Sequence, residues 1–511
     1  MNLLNSQRSI GSRNLKLAIA ALGVVLTSGA SNAATDSSDL LIKFRSPTAV
    51  KSFSTFATSN GSRVQKLGTS AWVRVKMTNQ MNQKISIDEI RSNPEVLAVQ
   101  PNYKMHLLEN YQLKSPELRA KLAQLVSQTN AKNGAKNAGA KPTPIVDNPA
   151  IPLPGAVGTG ADPDFSKQWG MNDIGLRDGL TKHKGEGVIV AVIDTGVDYT
   201  HPDLIDNLWR NPGETGKDAQ GRDKATNGID DDGNGYIDDT IGWDFATNDN
   251  KPFDLSVDPI QILMGGGNPG HGTHCAGNVA ARGDNGIGVE GVAPMAKIMA
   301  MRFLTEKGEG DTAGAIQAID YAVKNGAKIL SNSWGSEGDD PAEAAKNQAL
   351  KDSIKRAEDA GVLFVAAAGN GHSGAGYDND SDPKPGVPAS YDNENIVSVA
   401  AIAANDTLGA FSNWGARTVD IAAPGVVVYS TTVGGKYSDT VIDMYGIKAT
   451  WDGTSMAAPH VAGAAALYLS AHPGATTKQI KDALITSAKP LSILSGKIVS
   501  GGKLNITNLM K

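Results

Sequence analysis

The sequence predicts an α/β chain: a mostly parallel sheet with helices on both faces, preceded by a small α+β domain. Three observations predict it. Val188-Ile189-Val190-Ala191-Val192-Ile193 is a continuous apolar run, the mark of a strand buried on both faces. Strand-like runs at Ile298–Phe303, Ile329–Ser331, Val362–Ala367, Ile396–Ala400 and Val419–Ile421 are interleaved with helix-like segments at His274–Ala281, Ala313–Asn325, Ala342–Ala360 and Ala457–Ser470. Such interleaving means a parallel sheet covered on both sides. The 511 residues include 57 glycines and only 5% aromatics, which suits close helix-on-sheet packing and tight turns.

From the N-terminus, Arg8, Arg13 and Lys16 precede the apolar stretch Leu17–Leu26 and the small or polar residues Ser28 to Ala34. That is a secretory signal pattern, with a cut expected after Ala33 and hence a segment 1–33. The stretch is about half of the ~20 residues that span a bilayer, so an exported protein without a stable membrane anchor is expected. Residues 34–107 form the α+β domain. Leu40–Phe44, Ala71–Lys76 and Val96–Val99 read as strands, and Val50–Phe56 and Ile85–Ile90 as helices. Residues 108–160 read as a linker. Glu117–Gln128 could form one helix there, and Asn130–Pro154 is rich in Ala, Asn, Gly, Lys and Pro. The α/β domain covers residues 161–511.

Charge divides the same way. Residues 1–160 carry 19 basic and 8 acidic side chains, the remainder 29 and 45. A basic front on an acidic body argues against nucleic acid as a partner and lets the two parts attract each other. Cys275 is the single cysteine, so no intrachain disulfide is possible. Loops must be held by other means.

Chemistry gathers in four places. Asp194-Thr195-Gly196 ends the apolar run Val188–Ile193, and reactive groups collect at such strand ends. His271-Gly272-Thr273-His274 opens a helix-like segment. Ala367-Ala368-Gly369-Asn370 follows a strand. Gly453-Thr454-Ser455-Met456-Ala457-Ala458-Pro459 puts a serine at a helix start, with Pro459 expected in the first turn. There backbone N–H groups and the helix dipole favour developing negative charge. Each residue has a plainer reading: an N-cap serine, a turn aspartate, a structural histidine. His271 and His274 are also spaced as a metal pair, but no glutamate follows in the zinc-protease arrangement.

Together, Asp194-Thr195-Gly196, His271-Gly272-Thr273-His274 and Gly453-Thr454-Ser455-Met456-Ala457 resemble the three signature blocks of the subtilisin-like serine proteases, the subtilases. They stand in the subtilisin order. Cys275 places the histidine block nearer the thermitase and proteinase K branches. Residues 38–107, ending in Gln100-Pro101-Asn102-Tyr103, resemble the family's inhibitory propeptide. The resemblance implies a subtilisin-like fold and a secreted, self-processing endopeptidase, monomeric, with its own propeptide as intramolecular inhibitor and proteins or peptides as substrates. Ser455 would be the nucleophile, His271 the general base, Asp194 its orienting partner, and Asn370 with the Ser455 N–H the oxyanion donors. Gly308 and Gly310, and Ser333, Trp334 and Gly335, match two edges that pair with an extended peptide. Ala367, Gly369 and Gly386 match the walls of the primary specificity pocket. No acidic residue stands at those matched positions, which implies a broad or apolar preference. Trp334 replaces a commonly aliphatic residue, and would either narrow a subsite or be plain core. Cys275 would be a thiol near His271 or a small buried hydrophobe. A catalytically silent member used for binding is the rival reading; all four key residues are present.

Calcium is the expected cofactor. Asp230, Asp232 and Asn234 fit positions one, three and five of an EF-hand-type loop, Gly235 the turn at six, the Tyr236 carbonyl seven and Asp238 nine. Position twelve is Ile241 rather than glutamate, so another ligand must close the loop, with Asp239 the candidate. A second site, implied by the resemblance, comprises Asp162, Asp203 and Asn285 with backbone oxygens near Gly283, Ile287 and Val289.

Overall fold

The computed structural model describes residues 38–108, 150–155, 158–180, 182–255, 267–268, 270–336, 346–444 and 447–511, with three isolated positions between 120 and 124. The expected signal segment, nearly all of the expected helix Glu117–Gln128, most of the linker and positions 342–345 lie outside the described residues.

The N-terminal domain is a four-stranded antiparallel sheet in the order β2-β3-β1-β4. Its strands are β1 (Asp39–Phe44), β2 (Arg63–Lys66), β3 (Trp72–Lys76) and β4 (Val96–Pro101). Helices α1 (Pro47–Ser59) and α2 (Ile87–Ser92), with a single helical turn at Asn79–Asn82 between them in sequence, complete it. Ser46 caps α1, and Ser86 with Glu89 forms a reciprocal capping box on α2. Leu40, Ile42, Val73 and Val75 face α1 residues Phe53 and Ala57 in one apolar cluster. Strand β2 was not expected: Arg63-Val64-Gln65-Lys66 is an exposed edge with no buried face to impose alternation.

One further strand, β5 (Lys104–Leu107), leaves this sheet and lies in the larger domain. That domain is built on a nine-stranded sheet in the order β19-β20-β14-β13-β12-β10-β6-β8-β7. Its central strands are β6 (Ile189–Asp194), β7 (Gly242–Asp244), β8 (Lys297–Arg302), β10 (Ile329–Asn332), β12 (Leu363–Ala367), β13 (Ile396–Ile402) and β14 (Ile421–Pro424). All of these pair in parallel, and β19 (Lys489–Pro490) alone joins β20 (Gly502–Lys503) antiparallel. The short strands β9 (Glu309–Asp311) and β11 (Trp334–Gly335) leave the sheet plane to flank β5. The hairpins β15–β16 (Ser430–Thr432, Lys436–Ser438) and β17–β18 (Thr440–Met444, Ile447–Thr450) precede the serine block. Strand β14 starts two residues later than expected, at Ile421, where its ladder with Val399 of β13 begins. Its Ile-Ala-Ala-Pro sequence carries little strand signal of its own.

Helices α3 (His271–Ala280), α4 (Thr312–Lys324), α5 (Gln348–Asp359) and α6 (Thr454–Ala471) cover the sheet. Two apolar clusters lie on opposite faces: Val190 and Val192 with α3 and α6, and Ala191 and Ile193 with α4 and α5. Every residue of α6 from Thr454 to Leu467 is buried, and the alanines and Gly463 in that stretch allow the close approach. Pro459 lies in the interior of α6, deeper than the first turn.

The N-terminal domain sits on α4 and α5. Leu41, Leu67 and Trp72 pack with Ala313, Ile316 and Ala349. Asp352 receives the Lys43 ammonium at 2.6 Å and the Trp72 indole N–H at 2.9 Å. Arg74 joins Asp39 at 2.5 Å to Asp311 at 2.8 Å. Two side chains finish the helices themselves. Asn102 accepts the Ala313 N–H at 3.0 Å, and Gln100 accepts the Ala349 N–H at 3.0 Å. These are first-turn donors that no intrahelical carbonyl can reach. Replacing Gln100 or Asn102 by Ala should each cost about 1 kcal/mol, the usual worth of such a cap. Urea unfolding of the full chain would measure it, and unchanged midpoints would mean that water serves these donors equally well.

Candidate active site

Asp194 ends β6 and His271 opens α3, so the fold brings a strand terminus against a helix terminus. His271 Nδ1 lies 2.9 Å and 3.0 Å from the two Asp194 carboxylate oxygens, and both side chains are 1% exposed. The Thr195 N–H also donates to Asp194, at 2.6 Å, and the Gly272 N–H to the Thr195 hydroxyl, at 3.1 Å. Burial alone would discharge the imidazole. Against that burial, the Asp194 charge and hydrogen bond, together with Cys275, hold the His271 pKa well above the usual 6.5.

His274, one turn on, faces away from this pair. Its Nε2 meets the Val428 carbonyl at 3.0 Å, its ring stacks on Trp451 at 4.4 Å, and burial lowers its pKa to about 3. The pair spacing in the sequence therefore does not become a pair in space. Cys275 does approach: its Sγ is 3.7 Å from His271 Nδ1, 3.7 Å from Ser333 Oγ and 3.4 Å from the Ser455 carbonyl. Burial raises its pKa, so it stays a thiol.

Ser455 is the second residue of α6 and fully buried. Pro459 has no N–H to give the Ser455 carbonyl, which takes the Ser333 hydroxyl instead, at 2.9 Å. Ser455 Oγ points to backbone carbonyls here rather than to His271. It donates to the Leu108 carbonyl at 2.6 Å, with the Ser333 carbonyl at 3.1 Å, and His271 Nε2 is buried with no partner among the described residues. Asn370 Nδ2 donates to the same Leu108 carbonyl at 2.7 Å. Asn370 is itself fixed by the Thr454 N–H and hydroxyl, at 2.9 and 2.8 Å. A Cβ on Gly453, whose φ is 159°, would come 3.2 Å from Asn370 Nδ2 and 3.4 Å from the Leu108 oxygen. Glycine there leaves room for the carbonyl.

Leu108 directly follows β5, which the sequence reading missed. Lys104-Met105-His106-Leu107 alternates exposed and buried, the signal that could have revealed it. The strand lies antiparallel between the two expected edges: Met105 opposite Gly310, Leu107 opposite Trp334 and His106 opposite Gly335. Leu107 N–H donates to the Gly308 carbonyl at 2.9 Å and Leu108 N–H to the Ser333 carbonyl at 3.3 Å. The Leu108 side chain is 3% exposed and clusters with Ala367; a Cβ on Gly335 would lie 3.6 Å from its Cδ1. At Gly369, φ is 117° and a Cβ would meet Asn413 Nδ2 at 2.3 Å. Trp334 is fully buried and edge-on to Phe303 and Phe364, in one cluster with Met105 and Leu107. It is thus both core and the floor beneath β5.

The structure also brings together Asp162, Asp203 and Asn285. Asn285 Nδ2 reaches Asp203 at 2.7 Å, and Asp162 accepts the Asp284 and Asn285 N–H groups at 2.9 and 3.2 Å. The acidic loop is arranged differently from the expected ligand set. Asp230 bonds the Asn234 and Gly235 N–H groups, and Asp238 turns to the Gly228 N–H. Asp232 and Asn234 instead converge on Asp239, joined by Glu214, which the sequence reading missed because it lies outside the motif. Burial raises Asp203 and Glu214 to about 7 and Asp239 to about 6, each also pushed up by neighbouring carboxylates. Oxygen-rich, crowded and desolvated, these residues fit a hard divalent cation. Carboxyls with raised folded-state pKa values bind protons more tightly folded than unfolded, so their contribution is complete below about pH 4 and lost by pH 7. In a chelator, therefore, the melting temperature should fall between pH 4.5 and 7.5, and calcium should remove that slope. A flat profile in EDTA would show that these carboxylates are compensated without an ion.

The fold and the Asp–His–Ser constellation together define a class, the α/β serine hydrolases. Within it the chain belongs to the subtilase family, whose sequence profile matches residues 185–505. It is 34% identical over 322 residues to a thermophilic serine proteinase of Bacillus sp. (strain AK1), covering 63% of this chain and 61% of that one. With thermitase of Thermoactinomyces vulgaris the identity is 34% over 332 residues, 65% of this chain and 92% of thermitase. Fervidolysin from Fervidobacterium pennivorans, described as a keratinolytic enzyme related to subtilisin, shares the fold. Its TM-score is 0.61 at 22% identity, over 93% of this chain and 60% of fervidolysin. Among the described residues no helix is long and apolar enough to cross a membrane.

Proposed function

We propose that this chain is an exported, calcium-supported endopeptidase made as a precursor that cuts itself after Leu108. The observation carrying this reading is the Leu108 carbonyl, held by Asn370 Nδ2 at 2.7 Å and Ser455 Oγ at 2.6 Å at the end of an extended strand. That is where a scissile carbonyl belongs. In the reaction, Ser455 Oγ turns from the carbonyl oxygen toward His271 Nε2, loses its proton there and attacks the carbon. Asp194 holds the imidazole tautomer and stabilises the imidazolium. Asn370 and the Ser455 N–H, one of the free donors at the start of α6, receive the oxyanion. His271 then protonates the leaving amine as the C–N bond breaks, and afterwards takes a proton from the water that hydrolyses the Ser455 ester and frees the Leu108 carboxylate.

On this reading residues 38–108 are the inhibitory propeptide, and Leu108 belongs to it rather than to the linker. Main-chain pairing with β9 and β11 binds peptides with little regard to sequence, while Met105, Leu107 and Leu108 mark an apolar preference near the cut. Export rests on the N-terminal signal pattern, and a monomer is the simplest assembly. Calcium would be held by Asp162, Asp203 and Asn285 and by the acidic loop, where it would neutralise crowded carboxylates and pin the loops.

Ser455→Ala should lower turnover roughly 10⁶-fold, the magnitude subtilisin itself shows, and accumulate uncut. Asn370→Ala should cost about 10²–10³-fold, as subtilisin's own oxyanion asparagine does. N-terminal sequencing of the processed wild type should begin at Glu109 or further along; a purified Ser455→Ala chain that still cuts itself would sink the reading. The rate should rise with pH as His271 loses its proton, with a midpoint above 6.5 because Asp194 favours the charged form. Asp194→Asn should move that midpoint down while lowering the rate, as pH profiles of kcat/KM would record.

A further inference from the structure

The acidic loop's closing ligand lies outside its motif. Glu214 is 0% exposed, and its Oε2 has no hydrogen-bond partner among the described residues. Its Oε1 accepts the Asp231 N–H at 2.7 Å and the Asp232 N–H at 3.3 Å, which fixes the carboxylate against the loop. Oxygens of Glu214, Asp232 and Asp239 all lie within 4.8 Å of one another. An unpartnered buried carboxylate oxygen is expensive unless a cation compensates it.

We propose that Glu214, Asp232 and Asp239 hold one calcium-class cation, with Asp230 and Asp238 shaping the loop from outside the coordination shell. The proposal rests on the reading of this loop as a calcium loop and replaces the ligand set that EF-hand spacing suggests. All donors are oxygens, which selects a hard cation over zinc or copper. Around them, Asn211 Nδ2 donates to Asp232 and Asp239, at 2.9 Å each, and Tyr321 of α4 donates to Asp239 at 2.5 Å. Lys324, also of α4, reaches the Asn234 carbonyl at 3.3 Å. An ion here would therefore pin residues 211–239 to the C-terminal half of α4. The other end of that helix is capped by Asp311, the last residue of the cleft edge β9.

The test uses the full chain carrying Ser455→Ala, which should prevent self-digestion. Stripped with EGTA and titrated calorimetrically with calcium, this parent should bind at the loop and gain melting temperature. Adding Glu214→Gln should abolish one binding event or weaken it on the order of tenfold or more, since a ligand charge is lost. Residues 211–239 should then become sensitive to added trypsin. Adding Asp230→Asn should leave the ion count unchanged. Should Glu214→Gln fail to fold, crystals of the parent grown in calcium should show an ion about 2.3–2.6 Å from oxygens of all three residues. Undiminished binding by Glu214→Gln, or an ion on Asp230 and Asp238 without Glu214, would overturn the ligand set and leave the calcium reading standing. A parent that binds no calcium at all would overturn both, without touching the assignment of Ser455.

Discussion

The structure depends on one helix being buried on every side. Helix α6 has no polar face to give to water, so α3 and the strands β10, β12 and β13 close around it. Small side chains permit that approach, and seven of the ten residues from Ala457 to Ala466 are alanine or glycine. The arrangement fixes the position of Ser455 to within the tolerance of a packed core. It also turns the free N–H groups of the first turn inward. Pro459 adds a second constraint: by withholding an N–H it opens the Ser455 carbonyl to Ser333, tying the serine to the residue that precedes the cleft edge β11.

Around that centre the buried charges are few and matched. Asp194 and His271 form a desolvated pair, and the Asp194 charge and hydrogen bond together with Cys275 offset the cost of burying the imidazole as a cation. Among the described residues His274 and His460 have no carboxylate partner, and burial lowers both pKa values, to about 3 and about 4. Three imidazoles in one core thus divide by a single neighbour. A carboxylate at 2.9 Å makes the difference between a proton carrier and a packing ring.

The N-terminal domain uses the same helix-end physics from outside. Gln100 and Asn102 serve the free donors of α5 and α4, and the chain between and beyond them delivers Leu108 to the start of α6. One stretch of nine residues, from Gln100 to Leu108, thereby satisfies two helix N-termini and sets a carbonyl on the side chains of Ser455 and Asn370. Salt bridges such as Lys43–Asp352 and Arg74–Asp311 are partly exposed and add little individually. Apolar contact through Leu41, Leu67 and Trp72 and the paired strand β5 carry the docking.

The sequence by itself determined the α/β class, the positions of the buried strands and the residue types of the Asp–His–Ser blocks. Those signals are local: a continuous apolar run reads as a buried strand, and a serine before an alanine run reads as a helix start. The edge strand β2 was not legible and the Ala-rich β14 was read two residues early, because register with a neighbour rather than side-chain pattern sets them. Tertiary structure alone decided that His274 faces Val428 while Cys275 faces His271, since residues three and four past His271 differ by about 100° around a helix. It alone brought Glu214 to Asp232 and Asp239 and sent Asp230 and Asp238 elsewhere, because loop carboxylates turn toward whichever N–H groups the fold leaves free. It alone placed Leu108 on Ser455 and Asn370, a contact across 347 and 262 residues that no local pattern encodes.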